Sequence, residues 1–476
     1  MFLNRFASRL VFAFLLLAAG SAVWADYSTL PTLPDGGRVR PENRYFDVTP
    51  RIAPADAETT IIIQPLFDHV RFREDCKYEL TYTALDQVYS EKSPFRVKPK
   101  PVTPADNRLT LNFFLAGEQE HMLVLEEINA DKRRVMGEFH LYTVNEDLLA
   151  LRPFKGDFHM HSNNSDGTES AAYVAGACRR VGLDWMALSD HRKYAPSAAL
   201  KDAFQGMPID LRIYPGEECH SPDNPVHIIA FGHNAAICDL YLDAAEAQAR
   251  AEVGELKEKL KKVPENVNKF HYASCQWVTN KIHERGGLAM LCHPYWVTGG
   301  AHNIAEPLLG ALLNSKFFDM LEVVSGNGSA DANAYDADVL QASRYAEARA
   351  GGLRLPACGI SDSHGCESNE TFGRNFTVTF SPTTELSDIQ GAIKKGNCTA
   401  VEIMRGERPQ VEGDYRLVKY TLFLLREVFP QHDELCVEEG RLMIDHTAGN
   451  STAADRLKAC QGQVKALYDQ YWAVGR

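Results

Sequence analysis

The chain has 476 residues, 45% hydrophobic and 24% charged, with a formal net charge of −13 at pH 7. That length leaves room for two or three domains, and the apolar and charged fractions are those of a globular protein. The acidic balance makes a long polyanion such as nucleic acid a poor partner, although carboxylates that bind cations would be offset locally.

Residues 1–25 read as an export signal. Arg5 and Arg9 give a positive start, residues 10–20 are apolar, and Val23-Trp24-Ala25 places small residues before a cleavage point at Asp26. No later stretch approaches the ~20 apolar residues of a membrane span. The expected location is therefore exported, periplasmic or secreted, with no span left once the signal is removed.

Residues 26–55, rich in Pro, Asp and Arg, form an irregular lead-in. Segments 59–63, 78–83, 108–115, 121–126 and 138–142 are β-rich runs separated by polar or Pro-containing turns. Short strands in such succession predict a small β-sandwich-like domain over 26–150. It carries no catalytic constellation, and its expected job is to cover the next domain or hold a protein partner.

From residue 151 the rhythm changes to strand and helix. Strands are predicted at 154–159, 184–189, 212–215, 226–231, 288–292, 320–324, 355–360 and 376–380, and helices at 170–181, 240–262 and 274–285. This alternation predicts a mainly parallel α/β domain over 151–400. The link between 215 and 226 is too short for a crossover helix, so a distorted barrel or a local hairpin fits better than a regular eightfold barrel. Residues 401–476 follow as a helical extension, with helices at 415–428 and 453–472.

His159, His161, Asp166, His191, Glu218, His227, His293, Asp362 and His364 lie at short spacings, most of them at the ends of predicted strands. Catalytic side chains gather at strand C-terminal ends in βα barrels, so one shared site is expected. Imidazoles and carboxylates in this density suit a cluster of divalent transition metals, and such a cluster makes hydroxide from water at neutral pH. Glu217 is set aside, because neighbours on a strand point oppositely. By the same alternation Cys219 and Cys292 should face away from the ligands, as core residues. The 11 cysteines include no C-x-x-C pair, and their odd number leaves at least one unpaired in a monomer. Asp190 is expected to orient a ligand rather than bind metal. His220 and His233 are expected near the site, with surface or structural roles equally open to them, and the role of Glu322 is open.

The stretches Asp157-Phe158-His159-Met160-His161-Ser162, Ser165-Asp166-Gly167, Ser189-Asp190-His191, Gly216-Glu217-Glu218, Cys292-His293-Pro294 and Ser361-Asp362-Ser363-His364 resemble, in order, the motifs of the PHP (polymerase and histidinol phosphatase) superfamily. The resemblance covers about residues 154–400. It implies a distorted (β/α)7 barrel with two to three divalent metals, of manganese, zinc or iron. It implies one metal on His159, His161, Glu218 and Asp362, a second on Glu218, His227 and His293, and a third on Asp166, His191 and His364. Glu218 would bridge, and Glu218, Asp362 and His364 would carry catalysis. The family hydrolyses phosphoesters, so the expected substrate is a small phosphorylated compound. Many relatives carry an Arg soon after the His-Pro pair; here Tyr295-Trp296 follows. Arg374 is the first choice for the phosphate contact, with Arg192 and Lys193 as alternatives. Two other readings remain: an exonuclease-like phosphodiesterase, and a non-catalytic exported partner-binding module with a structural metal site.

Overall fold

A computed structural model describes residues 39–88, 99–130, 132–220, 223–326, 332–404 and 406–473. The export-signal reading of residues 1–25 lies outside them. Among the described residues no helix is long and apolar enough to cross a membrane.

Eight strands come first: β1 (Phe46–Thr49), β2 (Ile52–Pro54), β3 (Ala57–Pro65), β4 (Lys77–Ala84), β5 (Lys100–Val102), β6 (Leu109–Leu115), β7 (Glu120–Asn129) and β8 (Lys132–Val144). They form a three-stranded sheet, β1-β3-β6, and a five-stranded sheet, β2-β8-β7-β4-β5. Alternation along these strands turns one face of each sheet inward. Ile61, Ile63 and Leu111 from the first sheet share a core with Leu80, Leu125 and Phe139 from the second.

The remaining strands are β9 (Arg152–Asp157), β10 (Trp185–Leu188), β11 (Arg212–His220), β12 (His227–Phe231), β13 (Leu288–Leu291), β14 (Val297–Thr298), β15 (Ala301–His302), β16 (Met320–Val324), β17 (Ala357–Gly359), β18 (Asn375–Ser381), β19 (Cys398–Glu402) and β20 (Gln410–Gly413). All but the β14–β15 hairpin join one ten-stranded sheet in the order β17-β16-β13-β12-β11-β10-β9-β18-β19-β20. The expectation of a mainly parallel sheet is corrected here. β12 runs antiparallel to both β11 and β13, and β18 runs antiparallel to β9 and β19. The short link after His220 permits only a hairpin, which reverses the chain at β12. The sheet also continues past residue 400, through β19 and β20.

The sheet nearly closes on itself. Thr377 Oγ1 on β18 donates to Gly359 O of β17 at 2.7 Å and accepts from Gly359 N at 3.1 Å. A Cβ on Gly359 would meet Phe376 O at 2.6 Å, so the approach at this seam depends on the missing side chain.

The C-terminus is helical, but the predicted helix 453–472 is two helices, Ala453–Cys460 and Gln463–Tyr471. Gly462, at φ +76°, breaks them apart. The predicted helix 240–262 is likewise shorter, Glu246–Lys259, preceded by two 3₁₀ turns. An additional 19-residue helix, Phe429–Thr447, is anchored beneath the sheet by buried charges. Lys155 Nζ pairs with Asp433 Oδ1 at 2.8 Å, His432 Nε2 with Asp184 Oδ1 at 2.9 Å, and Arg179 Nε with Glu439 Oε2 at 2.7 Å. Asp184 immediately precedes β10, and Lys155 lies within β9, four residues before His159.

The helix Tyr415–Glu427 joins the β-domain to the rest. Glu427 pairs with Arg40 at 2.7 Å, beside a buried imidazole, His140, held between Glu120 at 2.6 Å and Glu138 at 2.9 Å. Burial pulls the His140 pKa down, but Glu120, Glu138 and the neighbouring Glu427 outweigh it and hold the pKa at about 9, above the ordinary 6.5. A raised folded-state pKa stabilises fully below the unfolded value and stops doing so as pH climbs through the folded one. Stability should therefore fall between about pH 6.5 and 9, by about 3 kcal/mol at most from this group. Denaturant unfolding at both ends of that window should show a loss that His140→Gln reduces; an equal loss in the variant would rule the histidine out.

Candidate metal centre

The strand ends converge because the register extends beyond the strands themselves. Met160 bridges Ser363 and His191 bridges Glu218, both in parallel pairing. The His161 backbone N–H donates to Ser363 O at 2.8 Å, which aligns the H-x-H and D-x-H pairs. Two candidate ligands sit in left-handed backbone, His293 at φ +25° and Asp362 at φ +46°. Strain of that kind in non-glycine residues is held by surrounding structure and concentrates at functional sites.

Glu218 is central and fully buried. Its Oε1 faces His227 Nδ1 at 2.8 Å and His293 Nε2 at 3.3 Å. Its Oε2 faces His159 Nε2 and His161 Nε2, each at 3.4 Å, and His191 Nδ1 at 2.6 Å. Asp362 Oδ1 lies 3.1 Å from both His159 Nε2 and His161 Nε2. At the rim, Asp166 Oδ2 is 3.3 Å from His191 Nε2 and 3.5 Å from His364 Nε2. All nine candidate ligands are thus in one site. Their donor atoms group as His159/His161/Glu218, Glu218/His227/His293 and His161/Asp166/His191/His364, each group spanning at most 4.8 Å.

Cations fit this arrangement. His159 Nε2, His161 Nδ1, Glu218 Oε2 and His227 Nδ1 are buried without a hydrogen bond among the described residues. Buried polar atoms left in that state are costly, and a shared cation would satisfy several at once. The electrostatics favour ligation. Burial opposes charge on Glu218, yet the imidazoles of His159, His191 and His220 hold its carboxyl well below the ordinary range. Burial likewise opposes charge on Asp362, and His159, His161 and His293 hold it low. Burial pushes His227 down to about 4, so its ring is neutral and offers a bare nitrogen at pH 7.

Other residues support the ligands. Asp190 accepts from the Ser162 backbone N–H at 2.7 Å, Ser162 Oγ at 2.8 Å and Ser165 Oγ at 2.8 Å, fixing the loop between His161 and Asp166. Glu322 Oε2 lies 3.1 Å from His159 Nδ1, the ring nitrogen turned away from Asp362, and so sets that ring's orientation. Glu217 sits on the opposite face of β11, where it accepts from Ile237 N at 3.1 Å and Cys238 N at 2.6 Å, with His233 at 3.6 Å.

Ten of the 11 cysteines are buried. Cys219 shares the Glu217 face, donating to Oε1 at 3.6 Å. Cys292 corrects the alternation argument: its sulfur lies within 4.8 Å of nitrogens of His159 and His293. β13 ends at Leu291, and the turn at His293 breaks the period that would have pointed this sulfur away.

Arg192 and Lys193 are exposed beside His191. Arg374 is 5% exposed. The turn 371–375 that carries it is tied to two strand ends, through Thr371 Oγ1 to Ser361 O at 2.8 Å and Asn375 Nδ2 to Ser325 O at 2.9 Å. Tyr295 is buried and bonded to Glu306 at 2.5 Å, in a packing role. Trp296 is half-buried, its ring 5.5 Å from that of His293 and 5.9 Å from that of His227.

No protein-family model matches the chain. A stretch of 57 residues, 12% of the chain, is 42% identical to the DNA polymerase/3'-5' exonuclease PolX of Bacillus subtilis strain 168 and spans 10% of that protein. Among solved structures, the chain is similar to a two-domain protein from Bacteroides vulgatus containing a predicted PHP-like metal-dependent phosphoesterase. The TM-score is 0.36 and the identity 18%, over 53% of this chain and 65% of that one. It is also similar to a candidate metal-dependent phosphoesterase from Bifidobacterium adolescentis, with a TM-score of 0.32 and 17% identity over 51% of this chain and 96% of that one.

Proposed function

We propose that the chain is a metal-dependent hydrolase acting on a small phosphorylated substrate. The nearly closed sheet is read as a distorted (β/α)7 barrel, the two preceding sheets as a sandwich, and residues 1–25 as the signal that sends the protein out of the cytoplasm. The observation that carries the functional reading is the single buried carboxylate of Glu218, whose two oxygens face two different sets of imidazoles. A purely structural site has no use for a shared carboxylate with a rim open to solvent.

His159, His161, Glu218 and Asp362 would hold one ion, Glu218, His227 and His293 a second, and Asp166, His191 and His364 a third. Divalent manganese, zinc or iron bound there would supply Lewis acidity and a nucleophile drawn from water at neutral pH. The residues do the rest. Glu218 shares its charge between two ligand groups. Asp362 keeps its negative charge against burial and holds His159 and His161 in one orientation. His364 and Asp166, with side chains 39% and 53% exposed, form the open side from which an ester arrives. Arg192 and Lys193 stand exposed on that side. Arg374 remains the first choice for gripping phosphate, because its turn is bound to the ends of β16 and β17.

Arg374→Lys should lower kcat/KM by ~10²-fold with metal content unchanged, since lysine keeps the charge but loses the bidentate fork. Wild-type kinetics would move the contact to Arg192 or Lys193.

A second reading, phosphodiester cleavage from a nucleic-acid end, draws on the local identity with a protein named as a 3'-5' exonuclease. Turnover of a panel of phosphomonoesters, mononucleotides and oligonucleotides by manganese-loaded protein separates the two. The first reading expects monoester hydrolysis and little release from oligonucleotides, and the reverse pattern defeats it.

A further inference from the structure

One more imidazole enters the centre beyond the nine. Glu218 and His220 are two residues apart on β11, so both leave the same face of the strand. Antiparallel pairing sets His220 directly opposite His227 on β12. The two rings stack with centroids 3.7 Å apart and planes 16° apart. From that position His220 Nε2 lies 2.8 Å from His191 Nδ1.

His191 divides its nitrogens. Nε2 faces Asp166, in the group completed by His161 and His364. Nδ1 faces Glu218 and His220. An imidazole that binds metal through one nitrogen carries its proton on the other, and the group receiving that proton fixes tautomer and ring angle. Glu218 Oε2 is nearer the same Nδ1, at 2.6 Å, but it is without a hydrogen bond among the described residues, and both Glu218 oxygens also face the first two ligand groups. His220 Nε2 is then the acceptor at hand.

We propose that His220 is a positioning residue of the metal centre: it accepts the Nδ1–H of His191 and so turns His191 Nε2 toward the third cation position. The inference rests on the metal-centre reading above. It predicts that losing His220 weakens one cation position and spares the other two.

The test is manganese binding, by equilibrium titration and by metal counting after desalting, on wild type and on His220→Ala, His220→Phe and His220→Gln. Phenylalanine keeps a ring against His227 without the nitrogen. Glutamine offers an oxygen acceptor without the ring. The weakest manganese equivalent should bind ~10–100-fold more weakly in the Ala and Phe variants and recover in the Gln variant. The tighter equivalents and the melting of the apoprotein should not move. Unchanged weakest binding in the Phe variant overturns the inference and leaves the metal centre standing. Equal loss of every equivalent in that variant shows general disruption and also overturns it. A wild type that binds no manganese overturns both the centre and the inference.

Discussion

Glu218→Gln is expected to lower kcat/KM on a phosphoester by roughly 10³-fold or more and to cost at least one bound metal equivalent. The change is isosteric, so packing around this fully buried side chain is kept. What disappears is the negative charge that His227 and His293 face on one side and His159, His161 and His191 on the other. Replacing a single terminal ligand such as His227 with Ala removes a donor from one group only and should cost less. Steady-state kinetics with metal analysis on both variants decides it. Unchanged turnover in Glu218→Gln would remove the bridging role.

Stripping metal should lower the melting temperature on the order of 10 °C, reversibly. A ligand at 100 times its Kd adds about 2.7 kcal/mol to folded stability, and each further ion bound to the folded state would add its own share. The apo centre gives the chain a reason to respond. Glu218, Glu322 and Asp362 are buried carboxylates set around the one His159 ring, and burial pushes Asp157, which accepts from the His159 backbone N–H at 3.2 Å, up to about 7. Thermal melts after chelation, and again after adding manganese, should show the drop and its recovery. Coincident melts would mean that no cation binds the folded state preferentially.

The site was far more legible in the sequence than the sheet around it. Ligands placed just after apolar runs announce strand ends, and His159, Glu218, His293 and Asp362 each meet at such a point. His220 was recoverable by the same alternation that set Glu217 aside, since a residue two places from Glu218 shares its face. Cys292 was not, because the backbone turn at His293 lies outside any periodic pattern. The helix Phe429–Thr447 is hidden in the sequence for a different reason. Its buried face includes His432, Asp433 and Glu439, charges satisfied by Asp184, Lys155 and Arg179 from distant parts of the chain. An apolar stripe cannot be seen where ion pairs take its place. The order of the ten strands was hidden for a related reason: pairing of β9 with β18 joins residues more than 200 apart, which no local pattern encodes.

The central claim is that these converging side chains hold metal in order to cleave a phosphoester. The most direct test is turnover of a chromogenic phosphomonoester by the purified protein, first stripped by chelator and then restored with manganese. No turnover is expected when the protein is stripped, turnover on restoration, and at least roughly 10³-fold less in restored Glu218→Gln. Equal rates with and without metal, or no hydrolysis by a chain that carries its full metal complement, would contradict the claim.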